Sequence, residues 1–383
     1  MDRQAQESGP KSPELSKNRT RQEACIHCKN CQRHCEFLTK YHLDIGDPRV
    51  KDLAYHCFLC GKCYAVCPMG IDGRQILLEQ RISDCKTGRS HLKSVGYGLL
   101  LWEKESYRFR NTKNLTAGSV LFPGCNFPSF YPETTRYLAE KLYREKGIGT
   151  LLDCCKKPVD ELGLEKETAE QLTNLENLLA SGSIQEIIVL CPNCYSFLKP
   201  KLTVKVVSIY EKLTEWGWGQ KVSQNRLFLP CPDREKQEML RQIRPFLANP
   251  EEIIQSVQCC GMGGCASIRE PELAFQLRRK VGKEPLSTYC ATCSGNFVRG
   301  GCKDASHLLV EILGRKEQAD TRHSLWNRAR LKYYRLKKVP DMEKIRTANR
   351  DRHQSRKEIE GKNEKERRGL CIRGMQSQTE HEA

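Results

Sequence analysis

The sequence predicts an α+β protein in which a small, mainly helical domain precedes a duplicated α/β domain. Three observations lead to this class. Eighteen of the 22 cysteines fall into four regularly spaced groups, two near the N-terminus and two farther along the chain. The later groups lie in two stretches, residues 119–218 and 219–316, that repeat one order of short apolar runs and amphipathic segments. Because apolar runs alternating with helical patterns indicate βα units, the repeat predicts two copies of one α/β unit.

Composition agrees with a folded chain that does not span a membrane. The chain has 383 residues, enough for two or three domains, and 38% of them are hydrophobic, with a mean hydropathy of −0.62. No apolar run reaches the roughly 20 residues that a membrane helix needs. The first residues are polar and lack the apolar core of a signal peptide. We therefore expect a cytoplasmic protein, with any membrane association made through a partner.

Cysteine usage points to metal or redox chemistry. The expected compartment is reducing, and structural disulfides do not persist there. The 22 cysteines of the chain therefore indicate metal binding or redox chemistry. Scattered core thiols are the alternative, because free cysteine is often buried, but the regular spacing opposes it. Four cysteines stand outside the groups and are expected to be ordinary core or surface thiols: Cys85, Cys265, Cys302 and Cys371.

Residues 21–88 contain two runs with the spacing C-x-x-C-x-x-C-x-x-x-C. This spacing is typical of two-cluster bacterial ferredoxins, in which three thiolates of one run and the fourth of the other hold each [4Fe-4S] cube. Paired zinc knuckles are the alternative, which Pro68 after the second run disfavours, although Glu36 rather than proline follows the first. The ferredoxin rule predicts one cluster bound by Cys25, Cys28, Cys31 and Cys67, and another bound by Cys57, Cys60, Cys63 and Cys35.

Residues 1–20 are predicted to be disordered, and residues 89–118 form a mixed connector to the α/β repeats. The first repeat is predicted to have strands at 119–122, 187–190 and 204–209. Its helices are expected from Pro132 to about Lys146, around Leu164–Leu179, and at 210–216. The second repeat is predicted to have strands at 226–229 and 286–289 and a closing helix from Ser306. Four predicted strands end at or near a cysteine, at the edge where open α/β sheets bind ligands: Cys125, Cys191, Cys231 and Cys290.

Each repeat places five cysteines in the order C…CC…CxxC, one more than a zinc ion or an ordinary cubane needs. The sets are Cys125, Cys154, Cys155, Cys191 and Cys194, then Cys231, Cys259, Cys260, Cys290 and Cys293. Five thiolates can serve a cubane with one free thiol, a zinc beside a dithiol, or a cluster that uses all five. Neighbouring side chains diverge, so an adjacent pair suits two metal atoms. A vicinal disulfide would leave the other three cysteines of the set unexplained.

The stretch Q-C-C-G-M-G-G at residues 258–264, within the doubled pattern, resembles the cysteine-rich repeat of heterodisulfide reductase catalytic subunits. Related iron–sulfur subunits of glycolate, lactate and glycerol-3-phosphate oxidation share this CCG domain, and a ferredoxin pair ahead of it resembles the fused heterodisulfide reductase subunit. The resemblance covers about residues 21–316 and all 18 grouped cysteines. It implies two noncubane [4Fe-4S] clusters, one in each five-cysteine set, beside the two cubane clusters. Lys156 departs from the glycine expected after the first adjacent pair.

The resemblance implies an enzyme, a heterodisulfide-reductase-like iron–sulfur oxidoreductase. It implies that electrons pass singly from the cubanes to the noncubane clusters, where the ten cysteines of the five-cysteine sets are catalytic and a disulfide is reduced to thiols. The alternative is an electron-transfer subunit that relays electrons between a flavoprotein dehydrogenase and the quinone pool. His307 is interpreted as a proton donor near the cleft or, more simply, as a helix-capping or core histidine.

The chain has neither a GxGxxG after a strand nor a P-loop. A flavoprotein or other electron-donor subunit is therefore an expected partner. The resemblance further implies a disulfide or thiol substrate and a membrane-bound partner. No nucleic acid is expected.

The C-terminal segment, residues 317–383, is predicted to be basic and partly helical. Residues 326–368 contain 16 Lys/Arg and 7 Asp/Glu, which is roughly half of the chain's formal charge of +17. Trp326, Ala329, Tyr333 and Leu336 recur at helical spacing and predict one face of a helix. This helix either packs on its own domain or docks an acidic partner subunit or an anionic membrane surface.

Overall fold

The computed structural model describes residues 21–224 and 226–337. Within them the chain forms two small β-sheets and many helices, which confirms the predicted α+β class. The predicted disordered segment 1–20, Cys371 and the tail beyond residue 337 lie outside the described residues. No helix in the described part of the chain is long and apolar enough to cross a membrane.

Short helices build the part of the chain that carries the first two cysteine runs. They are α1 (Asn30–Arg33), α2 (Glu36–Lys40), α3 (Lys62–Val66) and α4 (Gly73–Lys86). Asp72 begins α4, because its carboxylate accepts a hydrogen bond from the backbone N of Arg74 at 3.0 Å. The helices enclose an apolar core in which Phe37, Val50 and Ile71 are at most 1% exposed. The two runs therefore share one small core.

The segment that connects the helical domain to the repeats contains a strand that its sequence does not predict. It forms helix α5 (Gly98–Lys104) and strand β1 (Asn111–Asn114), which pairs antiparallel with β3 (Gly149–Leu152). The strand reads N-T-K-N and has no alternating apolar pattern, so periodicity predicts no strand there. Its conformation is instead held by pairing with the buried neighbour strand.

The first sheet contains four parallel strands beside β1. They are β2 (Gly118–Phe122), β3, β4 (Ile184–Val189) and β5 (Lys205–Ser208), and the sheet order is β1-β3-β2-β4-β5. Ile187, Ile188 and Val189 of β4 are fully buried, as expected for a central parallel strand covered on both faces. The strands lie close to the predicted positions, and β3 is the addition.

Helices join these strands in the first repeat. They are α6 (Phe127–Phe130), α7 (Pro132–Lys146), α8 (Lys157–Asp160), α9 (Glu165–Ser181), α10 (Pro192–Leu198) and α11 (Ile209–Trp216). The predicted limits of α7 are confirmed: Pro132 is its first residue, and Gly147 ends it in the left-handed conformation, at a φ of 68°. Leu175 and Leu179 of α9 face the core, as predicted.

The second sheet repeats the plan of the first. Its strands are β6 (Arg226–Leu227), β7 (Glu252–Ile253), β8 (Leu286–Thr288) and β9 (Ala305–His307), all parallel, in the order β7-β6-β8-β9. The corresponding strands of the first sheet stand in the equivalent order, β3-β2-β4-β5. The helices of this half are α12 (Glu238–Ile243), α13 (Pro271–Arg279), α14 (Ala291–Arg299) and α15 (Leu308–Ile312). The prediction of a helix from Ser306 was wrong by two residues, because Ser306 and His307 pair with β8.

The described end of the chain packs on the first repeat. Helix α16 (Ser324–Lys332) buries Asn327 and Leu331, while Trp326 is 64% and Tyr333 is 68% exposed. The helix ends at Lys332, before Tyr333 and Leu336, so the predicted helical face was wrong at its C-terminal end, and Trp326 does not pack on the first repeat. The amide of Asn111 donates to the carbonyl of Leu331 at 2.9 Å, and the buried contact fixes which face turns inward.

Arg81 of α4 joins three parts of the chain. Its buried guanidinium donates to the carbonyl oxygens of Ala54 (2.9 Å) and Cys57 (2.8 Å) in the helical domain. It also donates to the backbone carbonyl oxygens of Glu161 (2.6 Å) in the first repeat and Gly264 (2.7 Å) in the second. Buried donors are nearly always paired, and here the pairing holds the helical domain against both repeats.

Candidate metal centres

The first two cysteine runs interleave in space. Cys25 interacts electrostatically with Cys28 and with Cys67 of the other run. Cys35 interacts electrostatically with Cys60 and Cys57, again of the other run. Cysteines of the two runs therefore lie near one another, and the exchange of the fourth ligand between runs stays a prediction. Free thiols are found at all eight positions, as expected of residues available to metal: Cys25, Cys28, Cys31, Cys35, Cys57, Cys60, Cys63 and Cys67.

Exposure distinguishes the two predicted groups of four. Cys28 is exposed, whereas Cys35, Cys60 and Cys63 are buried. Burial raises the pKa of Cys31 to about 11, and the backbone N of Ile45 donates to its sulfur at 3.4 Å. Amide donors of this kind stabilise thiolate and tune the potential of a bound cluster. The group containing Cys28 is therefore the one nearer to solvent.

The first five-cysteine set forms a continuous chain of sulfur contacts. Cys154 interacts with Cys125 and with Cys155. Cys155 in turn contacts Cys194, and Cys194 contacts Cys191. Strand ends explain the gathering, because Cys125, Cys154 and Cys191 follow β2, β3 and β4 at the same sheet edge.

The second set repeats these contacts in the same order. Cys259 contacts Cys231 and Cys260, Cys260 contacts Cys293, and Cys293 contacts Cys290. Both adjacent pairs are free thiols, so the vicinal disulfide alternative is not found. The same neighbour order in both halves agrees with the duplicated sheets.

The two sets meet at Cys191 and Cys290. These thiols are hydrogen-bonding neighbours, and each occupies the N-cap position of its helix, α10 and α14. The amide of Asn193 also reaches across, with its Nδ2 3.8 Å from the sulfur of Cys290. All ten thiols therefore belong to one connected group with a pseudo-twofold arrangement.

Hydrogen bonding makes one thiol of each adjacent pair acidic. Donation by Cys154 and Cys194 lowers the pKa of Cys155 to about 5. Donation by Cys259 and Cys293 lowers the pKa of Cys260 to about 6. Each set thus contains a thiol that is readily ionised near neutral pH, and thiolate is the form that binds metal.

A cavity of about 370 Å³ opens beside both sets. Cysteines of both sets line it, together with Phe58 of the helical domain, Phe197 of α10 and Met262 after the second adjacent pair. Its ionisable side chains other than thiols are Arg74, Lys157, Asp160 and Glu161. Small-molecule sites are usually concave and largely apolar with a few polar groups, and this cavity has that character.

A cation lies beside each set. The thiols Cys125 and Cys154 raise the pKa of the buried Lys104 although burial opposes them, and its Nζ lies 2.8 Å from Glu103. Arg234 stands beside Cys231 and Cys259 in the second set, and those thiols likewise raise its pKa against the effect of burial. Sequence reasoning missed both cations, since only the Cys-Pro-Asp-Arg run at 231–234 brings one near a motif.

Lys156 occupies the backbone conformation that glycine favours. Its φ is 68°, and the corresponding residue after the second pair, Gly261, has a φ of 84°. The buried ammonium donates to the carbonyl of Lys104 at 3.2 Å and lies 3.6 Å from Asp153. The departure from glycine therefore preserves the turn after the adjacent pair.

His307 acts as a helix cap. Its Nδ1 accepts a hydrogen bond from the backbone N of Leu309 at 3.2 Å at the start of α15. Burial lowers the pKa of His307 to about 3. It does not line the cavity, and a group that stays neutral at pH 7 supports the simpler of the two interpretations.

Three of the four cysteines outside the groups are described. Cys302 is buried and donates to the carbonyl of Glu284 at 3.4 Å, and Cys85 donates to that of Leu162 at 3.5 Å. Both agree with ordinary structural thiols. Cys265 differs from the expectation in one respect, because it borders the cavity, although burial raises its pKa to about 12 and disfavours the thiolate.

The donor chemistry fits iron–sulfur clusters. Four- and five-member groups of sulfur atoms, with backbone amides and cations nearby, are soft anionic sites. Burial raises the pKa of many of these thiols, for example Cys31 and Cys35, and so disfavours their thiolate forms. A bound metal would supply the positive charge that the remaining thiolates need.

Comparisons with known proteins agree with this chemistry. The chain is 23% identical over 335 residues to an uncharacterized iron–sulfur protein of Methanococcus maripaludis, covering 70% of this chain and 63% of that protein. It is 24% identical over 337 residues to one of the subunits of the fumarate reductase (CoM/CoB) of Methanothermobacter marburgensis, covering 73% of this chain and 68% of that protein. The chain thus spans about two thirds of the length of these relatives.

The remaining comparisons add little. No protein-family model matches the chain. An aspartate racemase of Picrophilus torridus aligns with 53% of this chain and 96% of its own, at 11% identity, but its TM-score of 0.29 carries no argument. The grouped cysteines and the curated relatives together define a metal-binding iron–sulfur protein of the oxidoreductase class.

Proposed function

We propose that the chain is a heterodisulfide-reductase-like enzyme that reduces a disulfide in the cavity between its two five-cysteine sets. The observation that carries the proposal is the cavity itself, because cysteines of both sets line it and the sets meet at Cys191 and Cys290. A protein that only relays electrons needs one site at which electrons leave. Two sulfur-rich sets on either side of one cavity instead suit a substrate with two sulfur atoms.

The proposed ligands follow the sets. Two cubane clusters would be held by the eight cysteines of the first two runs, and two noncubane clusters by the ten cysteines of the repeats. When bound, the clusters would supply single electrons, two of which, with two protons, convert one disulfide into two thiols.

The protein side chains would orient the substrate and exclude water. Phe58, Phe197 and Met262 provide apolar walls, which favour an organic disulfide over bulk water. Asp160 borders the same space, and burial raises its pKa. A carboxyl group so placed suits the delivery of a proton to a departing sulfur, since its protonated form is more populated than in water.

The partners belong to the same proposal. The chain carries no nucleotide-binding motif, so a flavoprotein or other donor subunit would provide electrons. The relative from Methanothermobacter marburgensis is named as one subunit of a fumarate reductase (CoM/CoB), and this name supports a chain that works beside other subunits. The group containing the exposed Cys28 is the proposed point of electron entry.

Substitution in the adjacent pairs tests the proposal. We expect Cys259→Ala or Cys154→Ala to lower the rate of reduction of small organic disulfides at least 100-fold, with reduced viologen as donor. The electron paramagnetic resonance (EPR) signals of the two cubanes should remain. Cys302→Ala is the matched control, because Cys302 is equally buried but lies outside the sets. If the pair variants reduced disulfides as fast as the control, the catalytic assignment would be wrong.

A further inference from the structure

Arg234 links a predicted ferredoxin-type group, that of Cys57, Cys60, Cys63 and Cys35, to the second five-cysteine set. One of its guanidinium nitrogens donates to the carbonyl oxygen of Cys60 at 2.7 Å. Another donates to the carbonyl oxygen of Gln258, the residue before Cys259, at 2.6 Å. The planar guanidinium therefore hydrogen-bonds the backbone of Cys60, which belongs to one group, and the backbone next to Cys259, which belongs to the other.

The same side chain is surrounded by the sulfur atoms of both groups. Arg234 interacts electrostatically with the sulfur atoms of Cys231, Cys60 and Cys259. Arg234 is half-buried, so its interaction with these sulfurs is screened less than it would be at the open surface. Reduction of a cluster on either side would add negative charge close to this cation.

Gln258 makes a second connection at the same place. Its Oε1 accepts a hydrogen bond from the backbone N of Glu36 at 2.7 Å, and its Nε2 lies 3.7 Å from the sulfur of Cys35. Cys35 belongs to the same ferredoxin-type group as Cys60. The residue before the second adjacent pair is thus held to this group from both its side chain and its carbonyl.

The first five-cysteine set has a cation of another kind. Lys104 stands beside Cys125 and Cys154, but it belongs to α5 of the connector and pairs with Glu103. None of the cysteines of the first two runs is among the groups that interact most strongly with Lys104. Of these two cations, only Arg234 therefore connects a ferredoxin-type group with a five-cysteine set.

We propose that Arg234 is a positioning residue that holds the group of Cys57, Cys60, Cys63 and Cys35 against the second five-cysteine set and favours the reduced state of both. The proposal rests on the proposed cluster assignments. It makes the second repeat, rather than the first, the side on which electrons leave the ferredoxin-type groups. No bond is made or broken by Arg234, and it carries no electron itself.

The reason is electrostatic. A fixed cation stabilises the more negative, reduced form of a nearby cluster. Its removal should lower the midpoint potentials of the two neighbouring clusters and leave that of the cluster at Cys25, Cys28, Cys31 and Cys67 unchanged. We expect about a tenfold change in the one-electron reduction equilibrium, which corresponds to ~59 mV.

Redox titration of the anaerobically purified full-length protein, followed by EPR, tests the inference. Arg234→Gln removes the charge, and Lys236→Gln is the control, because it removes the same charge from an exposed position two residues away. The Arg234→Gln variant should have two lowered potentials and the control none. Unchanged potentials in Arg234→Gln, at full iron content, would overturn the inference and leave the proposed function intact.

Arg234→Lys keeps the test decisive if the glutamine variant does not assemble. Lysine retains the charge but not the planar fork, so its potentials should stay near those of the wild type. A lysine variant that holds its iron but has clearly lowered potentials would contradict the electrostatic role. Wild-type protein without the expected iron would instead refute the cluster assignments, and the inference with them.

Discussion

At the scale of single residues, the sequence shows how the cysteines are grouped but not what surrounds them. Regular spacing divides them into four groups, because spacing is a local property, and their roles as ligands stay a prediction. Arg234 contacts Cys60 across 174 positions, and no local pattern carries such information. Lys156 is an intermediate case. The sequence shows that lysine replaces the expected glycine, but only the structure shows that this lysine adopts the left-handed backbone conformation.

Lys156 offers a matched pair of substitutions. Lys156→Ala and Lys156→Gly both remove the ammonium near Asp153, so they differ only in backbone preference at a φ of 68°. A non-glycine residue in this region costs roughly 1–2 kcal/mol. We expect the glycine variant to be the more stable by about 1 kcal/mol in anaerobic thermal denaturation. Equal or reversed stabilities would mean that the turn is not left-handed.

At the scale of elements, strongly apolar segments were predicted and short polar ones were not. β4 and α7 carry clear periodicity and cap signals, whereas β1 is polar throughout and is held by its partner strand. The C-terminal limit of α16 was predicted wrongly, because helical spacing continues to Leu336 although the helix ends at Lys332. Hydrogen bonds from Asn111 and Asn327 hold one side of α16 against the first repeat and leave Trp326 exposed.

The glycine-rich turn after the second adjacent pair has a steric role. A Cβ at Gly263 would overlap the carbonyl oxygen of Phe58, and one at Gly264 would lie 2.7 Å from that of Cys57. Both contacts are with backbone, which cannot move aside as a flexible side chain can. The turn therefore allows the second repeat to approach the second cysteine run.

Substitution of Gly263 tests how closely the second repeat packs against the second cysteine run. We expect Gly263→Ala to destabilise the protein by about 1–3 kcal/mol, the usual range for overpacking, and to increase proteolysis between the helical domain and the repeats. Gly98→Ala is the control, because a Cβ there meets nothing within 4 Å. Two variants of equal stability would show that the contact with Phe58 is loose.

At the scale of the whole molecule, three parts converge on the sulfur groups. Arg81 joins the helical domain to both repeats, and the end of the described chain closes on the first repeat. Glu317 accepts hydrogen bonds from the backbone N atoms of Glu133 and Thr134 at 2.9 and 2.6 Å, at the start of α7. The segment after Gly314 is therefore part of the fold as well as a candidate docking region.

Two truncations separate these roles. A protein ending at Gly314 loses the Glu317 cap and the packing of α16, so we expect lower thermal stability. A protein ending at Lys337 keeps those contacts and should retain its iron and its activity with a small artificial donor. Weaker activity of the Lys337 form than of the full chain with the natural donor, by a margin that grows as salt is lowered, would support docking by the basic tail. Full stability of the Gly314 form would contradict the packing described for α16.

Cluster content tests the central claim most directly. Iron and acid-labile sulfide should be measured on strictly anaerobic full-length protein, together with EPR spectra before and after reduction and after addition of thiol. We expect about sixteen irons per chain, from eight cysteines in two cubanes and ten in two noncubane clusters, and an EPR signal that changes on thiol binding. A value near eight, with stoichiometric zinc and no response to thiol, would contradict two catalytic clusters in the repeats.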